Sequence, residues 1–368
     1  MKFIHVADLH IGKRLYENSL LEDQAFVLDF IAAQAELHRP DAVFIAGDLY
    51  DRAVPSAEAV SLLSDFLMRL SDTGAKVFAI GGNHDSQERL AFARAMLARG
   101  GLVISAPYNG RLEKYTVADA DVWLMPHIRP REVERFFDGA AFPAARDAVA
   151  AIIQRETLDP ARASVLVAHQ FVTGAGDEVV RSDSEVEPVG GESAVDAALF
   201  DEFDYVALGH LHAPQRAGRS CVRYAGSPMK YSFSETRHKK SLVLGNITGK
   251  KVDIQLVPIP QKRDMRDIRG DISDILAAAE PTQDYVRVTL TDAAPPLSPM
   301  ERLSAAYPNL VRLELAPRGS EQTRPEAVEG RAPLELFAEF YEKMNGAPLT
   351  GEMLAMAADA LNAVTENS

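Results

Sequence analysis

Cysteine is nearly absent: Cys221 is the only one in 368 residues, so no intramolecular disulfide can form and nothing points to an oxidising compartment. Long apolar runs are missing as well, since none approaches the roughly 20 residues that span a bilayer. Met1-Lys2 leads directly into a short strand-like run and then to the polar Asp8 and His10, which is not the pattern of a secretory leader. These absences lead us to expect a cytoplasmic protein with no membrane partner. Basic residues are in deficit, 39 Lys and Arg against 53 Asp and Glu for a net charge of −14. At first sight that argues against a nucleic-acid partner. Carboxylates that hold metal enter such a sum as negative yet are neutralised in the folded site, so the argument is soft.

What is present is enough apolar content for a sizeable core, 47% of residues against 25% charged, in a chain long enough for two or three domains. Its organising stretch is Gly81-Gly82-Asn83-His84-Asp85, which ends the apolar run Lys76 to Ile80. Alone it reads as a turn, because Asn and Asp are common turn formers. Four other apolar runs end the same way, however. Phe3 to Ala7 precedes Asp8-Leu9-His10, Ala42 to Ala46 precedes Gly47-Asp48 with Asp51 three residues on, Ser164 to Ala168 precedes His169, and Tyr205 to Leu208 precedes Gly209-His210-Leu211-His212.

Helical periodicity separates the first of these runs. Leu21, Phe26, Val27, Phe30 and Ile31 mark one helix, and Val60, Leu63, Leu67 and Leu70 another within Pro55 to Leu70. A third is expected from about Gln87 to Arg99. Strands alternating with helices predict parallel neighbours joined by right-handed crossovers, with ligands gathering at the carboxyl ends of the strands. All five polar tips lie at such ends. Leu112 to Val117 and Asp121 to Met125 suggest a hairpin, and Gly174 to Gly191 a polar loop over the site. Near Pro258-Ile259-Pro260 the character changes. We expect a body over 1–262, a small α+β cap over 263–318, a polar linker over 319–332 and two amphipathic helices over 333–368 that would dock on a partner protein.

In an extended chain residues two apart point the same way, so Asp8 and His10 can converge on one ion. Asp8, His10, Asp48, Asn83, His169, His210 and His212 exceed the needs of one cation. They divide around Asp48, with Asp8, His10 and His212 on one side and Asn83, His169 and His210 on the other. Two cations held in this way would acidify a bound water and clamp the oxygens of a phosphoester. Oxygen and nitrogen donors without thiolate suit Mn or Fe. His84, one residue past a ligand, faces the substrate side and can protonate a leaving oxygen. Asp51 is placed to hold its other ring nitrogen.

Asp8-X-His10, Gly47-Asp48-X-X-Asp51, Gly82-Asn83-His84-Asp85, His169 and Gly209-His210-X-His212 resemble the motif set of the calcineurin-like metallophosphoesterases. Asp8 to Lys13, Val189-Gly190-Gly191, Gly209 to Gln215, Gly226-Ser227-Pro228 and Ser232-Phe233-Ser234-Glu235 further resemble the SbcD family of nuclease subunits, over about residues 1 to 260. The resemblance implies an α/β fold, a sandwich of two β-sheets flanked by helices, with a DNA-facing cap and a helical tail. It also implies Mn-dependent cleavage of DNA, as a 3′ to 5′ exonuclease on double strands and an endonuclease on single strands, in DNA repair, recombination and replication. A homodimer within a heterotetramer with an SMC-like coiled-coil ATPase, SbcC, is implied too. The Asp51 to His84 pairing rests on bacterial members and the wider superfamily, since archaeal and eukaryotic relatives usually carry histidine at the position of Asp51.

DNA needs a local basic surface. Lys13, Arg14 and Arg52 flank the ligand loops, and Lys230, Arg237, Lys239 and Lys240 follow the Ser-Pro turn, so these seven are the expected phosphate contacts. The same two-cation centre would also serve a phosphatase or a small-molecule phosphodiesterase, because the fold does not fix the substrate. A scaffold without turnover should have lost ligands, and none is missing.

Overall fold

The computed structural model describes residues 1–185, 194–316 and most of 333–358. It divides into a unit Met1–Leu315 and a smaller one, Ala316–Ser368.

The larger unit is built on two six-stranded sheets. In the first, Lys2–Val6, Ala42–Ile45, Lys76–Ala79 and Leu102–Ile104 run parallel. Ser241–Thr248 joins the free side of Lys2–Val6 antiparallel and turns back into Lys251–Pro258. In the second, Ala120–Met125, Ala163–His169, Tyr205–Gly209 and Arg219–Tyr224 run parallel, with antiparallel Glu113–Val117 and Gln215–Ala217 at the edges. The hairpin and the crossovers expected from the periodicity are therefore present.

Both faces of each central strand are buried, which is why the strands read as continuous apolar runs. Phe3, Phe44 and Phe78 point between the sheets and meet Val122, Val165, Val167 and Tyr205. The Phe3 ring centroid lies 4.6 Å from that of Tyr205 and 5.3 Å from that of Phe44. Ile4, Val6, Val43 and Ile45 point the other way, against the helices Leu21–His38 and Ala57–Asp72. Ala57–Asp72 starts where Ser56 Oγ accepts the Ala59 N–H, and it buries Ala59, Leu63, Phe66, Leu67 and Leu70. Helix Ala145–Gln154 covers the outer face of the second sheet through Val149 and Ile152.

The single helix expected from Gln87 to Arg99 is instead two short turns, Gln87–Leu90 and Arg94–Leu97, broken at Ala93 with φ 56°. Phe92 and Met96 face solvent at 81% and 73% exposure, so no buried face holds these turns in one helix. The cap holds an edge strand that its sequence does not announce. Met265–Gly270 pairs in parallel with Tyr285–Leu290, which pairs with Leu310–Leu315. Its alternating charges, Arg266, Asp267 and Arg269, hide an edge strand. Helices Ile272–Ala277 and Pro299–Ala306 complete the module around Ile275, Val286, Val288 and Leu303. Asp23 ties it to the body, accepting from Tyr285 Oη at 2.9 Å and Arg263 Nη1 at 2.8 Å.

In the smaller unit, helix Pro333–Asn345 exposes Phe337 and Phe340. The Tyr341 hydroxyl reaches Met353, which opens the helical stretch 353–358. The expected linker 319–332 and the second helix beyond 358 lie outside the described residues.

His5, which belongs to none of the sequence motifs, is a core residue between the sheets. Leu208 O, 3.2 Å from its Nε2, can only accept, so Nε2 carries the proton and Nδ1 accepts from Tyr205 Oη at 3.0 Å. Burial pushes its pKa down to about 3. The unfolded chain therefore binds a proton that the folded chain refuses between pH 6.5 and about 3. Stability from this residue is complete above pH 6.5 and is lost below it by about 1.4 kcal/mol per pH unit. Urea unfolding of His5→Gln across this range should show a slope shallower by that amount.

Candidate metal centre

The two sheets present the carboxyl ends of their parallel strands along one rim. Asp8 and His10 follow Lys2–Val6, Asp48 follows Ala42–Ile45 and Asn83 follows Lys76–Ala79. From the second sheet, His169 ends Ala163–His169, and His210 and His212 follow Tyr205–Gly209. Main-chain bonds stitch the loops together, Asp8 N to Gly47 O at 3.0 Å and His10 N to Asp48 O at 2.9 Å. Asp8, His10, Asp48 and His210 all adopt positive φ, at 54°, 41°, 49° and 118°. Non-glycine residues hold such angles only where the surroundings impose them.

Asp48 is the hinge of the cluster. Its Oδ1 accepts the His84 N–H at 2.9 Å. Its Oδ2 stands 3.6 Å from His10 Nε2 and 3.5 Å from His169 Nε2, between the two groups. On one side His10 Nε2 and His212 Nε2 face each other at 3.1 Å, and Asp8, His10 and His212 form one potential ligand set. On the other, Asn83 Oδ1 lies 2.9 Å from His169 Nε2 and 3.2 Å from His210 Nδ1. All seven expected donors therefore meet in one cluster.

The residues fit a pair of cations. Asp8 Oδ1 accepts the His210 N–H at 2.9 Å, but its Oδ2 is buried with no hydrogen-bond partner among the described residues. His169 gives its Nδ1 proton to Ala46 O at 2.8 Å, and its Nε2 is surrounded by oxygens. Burial opposes charge there, but the Asp48 carboxylate outweighs it and pushes His169 up to about 9, a proton that a cation would replace. The donor set holds no thiolate, consistent with a hard or borderline divalent ion.

Glycine is required beside these ligands. A Cβ on Gly82 would lie 2.1 Å from Asp48 Oδ1, one on Gly47 2.2 Å from His169 Nδ1, and one on Gly209 1.9 Å from Ala46 O. These three glycines thus make room for protein ligands and their supports. Asp85 fixes the same loops, its carboxylate accepting the N–H groups of Leu49, Tyr50 and Gly82, each at 3.0 Å. Tyr231 packs edge-on against His10 at 5.5 Å.

A model of the calcineurin-like phosphoesterases matches residues 1–214, and one of the type 5 capsule protein repressor C-terminal domain matches 261–345. The chain is similar to the SbcD subunit of the nuclease SbcCD from Staphylococcus saprophyticus, 32% identical over 85% of this chain and 84% of that one. The corresponding protein of Staphylococcus epidermidis is 31% identical over 85% of each. The chain belongs to the SbcD family of calcineurin-like phosphoesterases. Among solved structures, a dimetal phosphatase from Danio rerio aligns at TM-score 0.41 and 12% identity, over 71% of this chain and 99% of that one.

Within this SbcD-family site three expectations need correction. His84 Nδ1 bonds the main-chain carbonyl of Asp51 at 2.9 Å, not its carboxylate. That carboxylate turns to Lys13 Nζ at 2.7 Å, with His10 Nδ1 3.9 Å away. Lys230 is buried, with its ammonium on Thr236 O at 2.8 Å and Asp264 at 2.6 Å. Lys240 is buried against Glu235 at 2.6 Å. A buried ammonium needs acceptors on every side, so neither lysine is available to a phosphate. Lys13 keeps partial exposure, and Arg14, Arg52, Arg237 and Lys239 are exposed near the ligand loops. Sequence reasoning also passed over Asp85 and Glu235 as site residues, although both stand inside stretches it singled out.

Replacing Gly82 by Ala should weaken divalent-cation binding about 10- to 100-fold by displacing Asp48. Gly100→Ala, where a Cβ meets nothing within 4 Å, should bind as the unaltered chain does. Titration calorimetry of both variants checks this.

Proposed function

We propose that this chain is a two-metal DNA nuclease, hydrolysing phosphodiester bonds as a 3′ to 5′ exonuclease on double strands and an endonuclease on single strands. The reading is carried by one observation, the convergence of seven oxygen and nitrogen donors from five strand tips around Asp48. Asp8, His10, Asp48 and His212 would hold one ion and Asp48, Asn83, His169 and His210 the other, with Mn2+ the best match to mixed O/N ligation. Bound there, the ions would acidify a water and clamp the phosphoryl oxygens.

The protein's own groups do the rest. His84, half-buried beside His10, donates a proton to the leaving oxygen from Nε2, while the Asp51 carbonyl accepts at Nδ1 and fixes the ring. Arg14, Arg52, Arg237 and Lys239, with Lys13, supply phosphate contacts around the rim. The part of the expected cap within 263–315 supports a DNA-facing role on this side. Arg287 lies 5.1 Å over the Phe233 ring, and a cavity of about 350 Å³ beside it is lined by Lys13, Arg14, Tyr16 and Tyr231.

Exposed apolar surface supports the proposed assembly. A groove of about 800 Å³ between helix Ala57–Asp72 and the turns at 87–97 leaves Met68, Phe92 and Met96 largely exposed, which supports a homodimer through this face. Phe337 and Phe340 on helix Pro333–Asn345 support docking on an SbcC-type ATPase, giving a heterotetramer in DNA repair and recombination.

With Mn2+ and linear DNA, the purified chain should release nucleotides, and Asp48→Ala should abolish this. His84→Ala should lower the rate about 10²- to 10⁴-fold. Asp51→Ala, which keeps the carbonyl, should cost far less. Cleavage confined to a small chromogenic phosphodiester would overturn the DNA reading. Phe92→Asp combined with Met96→Asp should sediment as a monomer.

A further inference from the structure

Behind His212 lies a buried ion pair that the proposed ligand set does not use. The distal nitrogen of His169 is held by a backbone carbonyl, whereas that of His212 is held by side chains. Glu235 has no exposed surface, and its Oε1 stands 3.2 Å from His212 Nδ1. The Ser184 hydroxyl bonds the same oxygen and lies 2.7 Å from His212 Nδ1. Glu235 Oε2 is 2.6 Å from the Lys240 ammonium. Lys240 places its other protons on Ser227 Oγ at 2.7 Å and on the carbonyl of His212 itself at 2.8 Å.

A carboxylate can only accept, so His212 Nδ1 must carry the ring proton. The lone pair then sits on Nε2, which points at His10 Nε2 across 3.1 Å. Glu235, with Ser184, thus sets the ring direction and tautomer of His212, while Lys240 holds its carbonyl and Glu185 Oε1 accepts its N–H at 2.8 Å. Burying two charges is a poor source of stability, because desolvation offsets their attraction. Support of a ligand explains the pair better.

We infer that Glu235 is a positioning residue of the metal centre, holding the Nε2 lone pair of His212 toward a cation while Lys240 keeps the carboxylate aimed at Nδ1. This rests on His212 being a ligand, as proposed above. Lys240 contributes by holding Glu235 Oε2 at 2.6 Å, which leaves Oε1 facing Nδ1.

The test is Mn2+ affinity of the full chain by titration calorimetry without DNA, with thermal melting of every variant. Glu235→Gln should bind about 10- to 100-fold more weakly, because one amide cannot accept from both His212 and Lys240. Adding Lys240→Met frees the amide oxygen to face Nδ1, so the double variant should bind more tightly than Glu235→Gln alone. A merely structural pair would make the double variant weaker still, which would overturn the inference. Should Glu235→Gln fail to fold, Glu235→Asp decides: it keeps the charge against Lys240 but withdraws the oxygen from Nδ1, and should lose affinity in the same range. Wild-type affinity in the folded Glu235 variants, with affinity lost in His212→Ala, would sink this role and leave the ligand set standing. Wild-type affinity in His212→Ala would instead remove His212 from that set.

Discussion

A carboxylate placed out of water between two imidazoles is the constraint that the rest of this molecule serves. Asp48 Oδ2 has His10 on one side and His169 on the other, and those histidines come from different sheets. Holding them there requires that both sheets end their parallel strands on the same rim. The aromatic layer of Phe3, Phe44, Phe78 and Tyr205 sets that alignment. Packing density between the sheets thus becomes precision at the site, because a shift of the layer would move His10 and His169 relative to one another.

The strand tips and their donors were legible in the sequence because each motif couples a hydrophobic run to a polar end, and the period of the intervening helices fixes the order of strands. Asp8, Asp48, Asn83 and the motif histidines were found this way. At Lys230, Lys240, Asp51 and Met265–Gly270 the sequence fell short because of a partner that no local pattern encodes. Lys230 and Lys240 look like solvated cations until Asp264 and Glu235 are placed against them. Asp51 is near His84 as expected, yet a carbonyl does the work because Lys13 claims the side chain. Met265–Gly270 is a strand only because Tyr285–Leu290 lies alongside it.

The buried polar groups around the centre fall into two populations. Asp85 and Gln24 accept or donate to loop backbone and shape the main chain, as Gln24 does at His10 O over 2.7 Å. Glu235 and Ala46 O instead act on ring nitrogens and so determine which nitrogen of each histidine is offered to the pocket. Both tasks need a dry setting, which explains why so many ionisable residues of this chain lie inside the protein.

The pairing of Lys2–Val6 with Ser241–Thr248 carries a consequence for biosynthesis. Lys2–Val6 must wait until Ser241–Thr248 has been made before its antiparallel neighbour exists, and closing so long a loop is slow. Until then the nascent first sheet has an unpaired edge. The rim likewise lacks His210 and His212 until Tyr205–Gly209 and the residues after it have been made, so the order of synthesis delays the completed donor set.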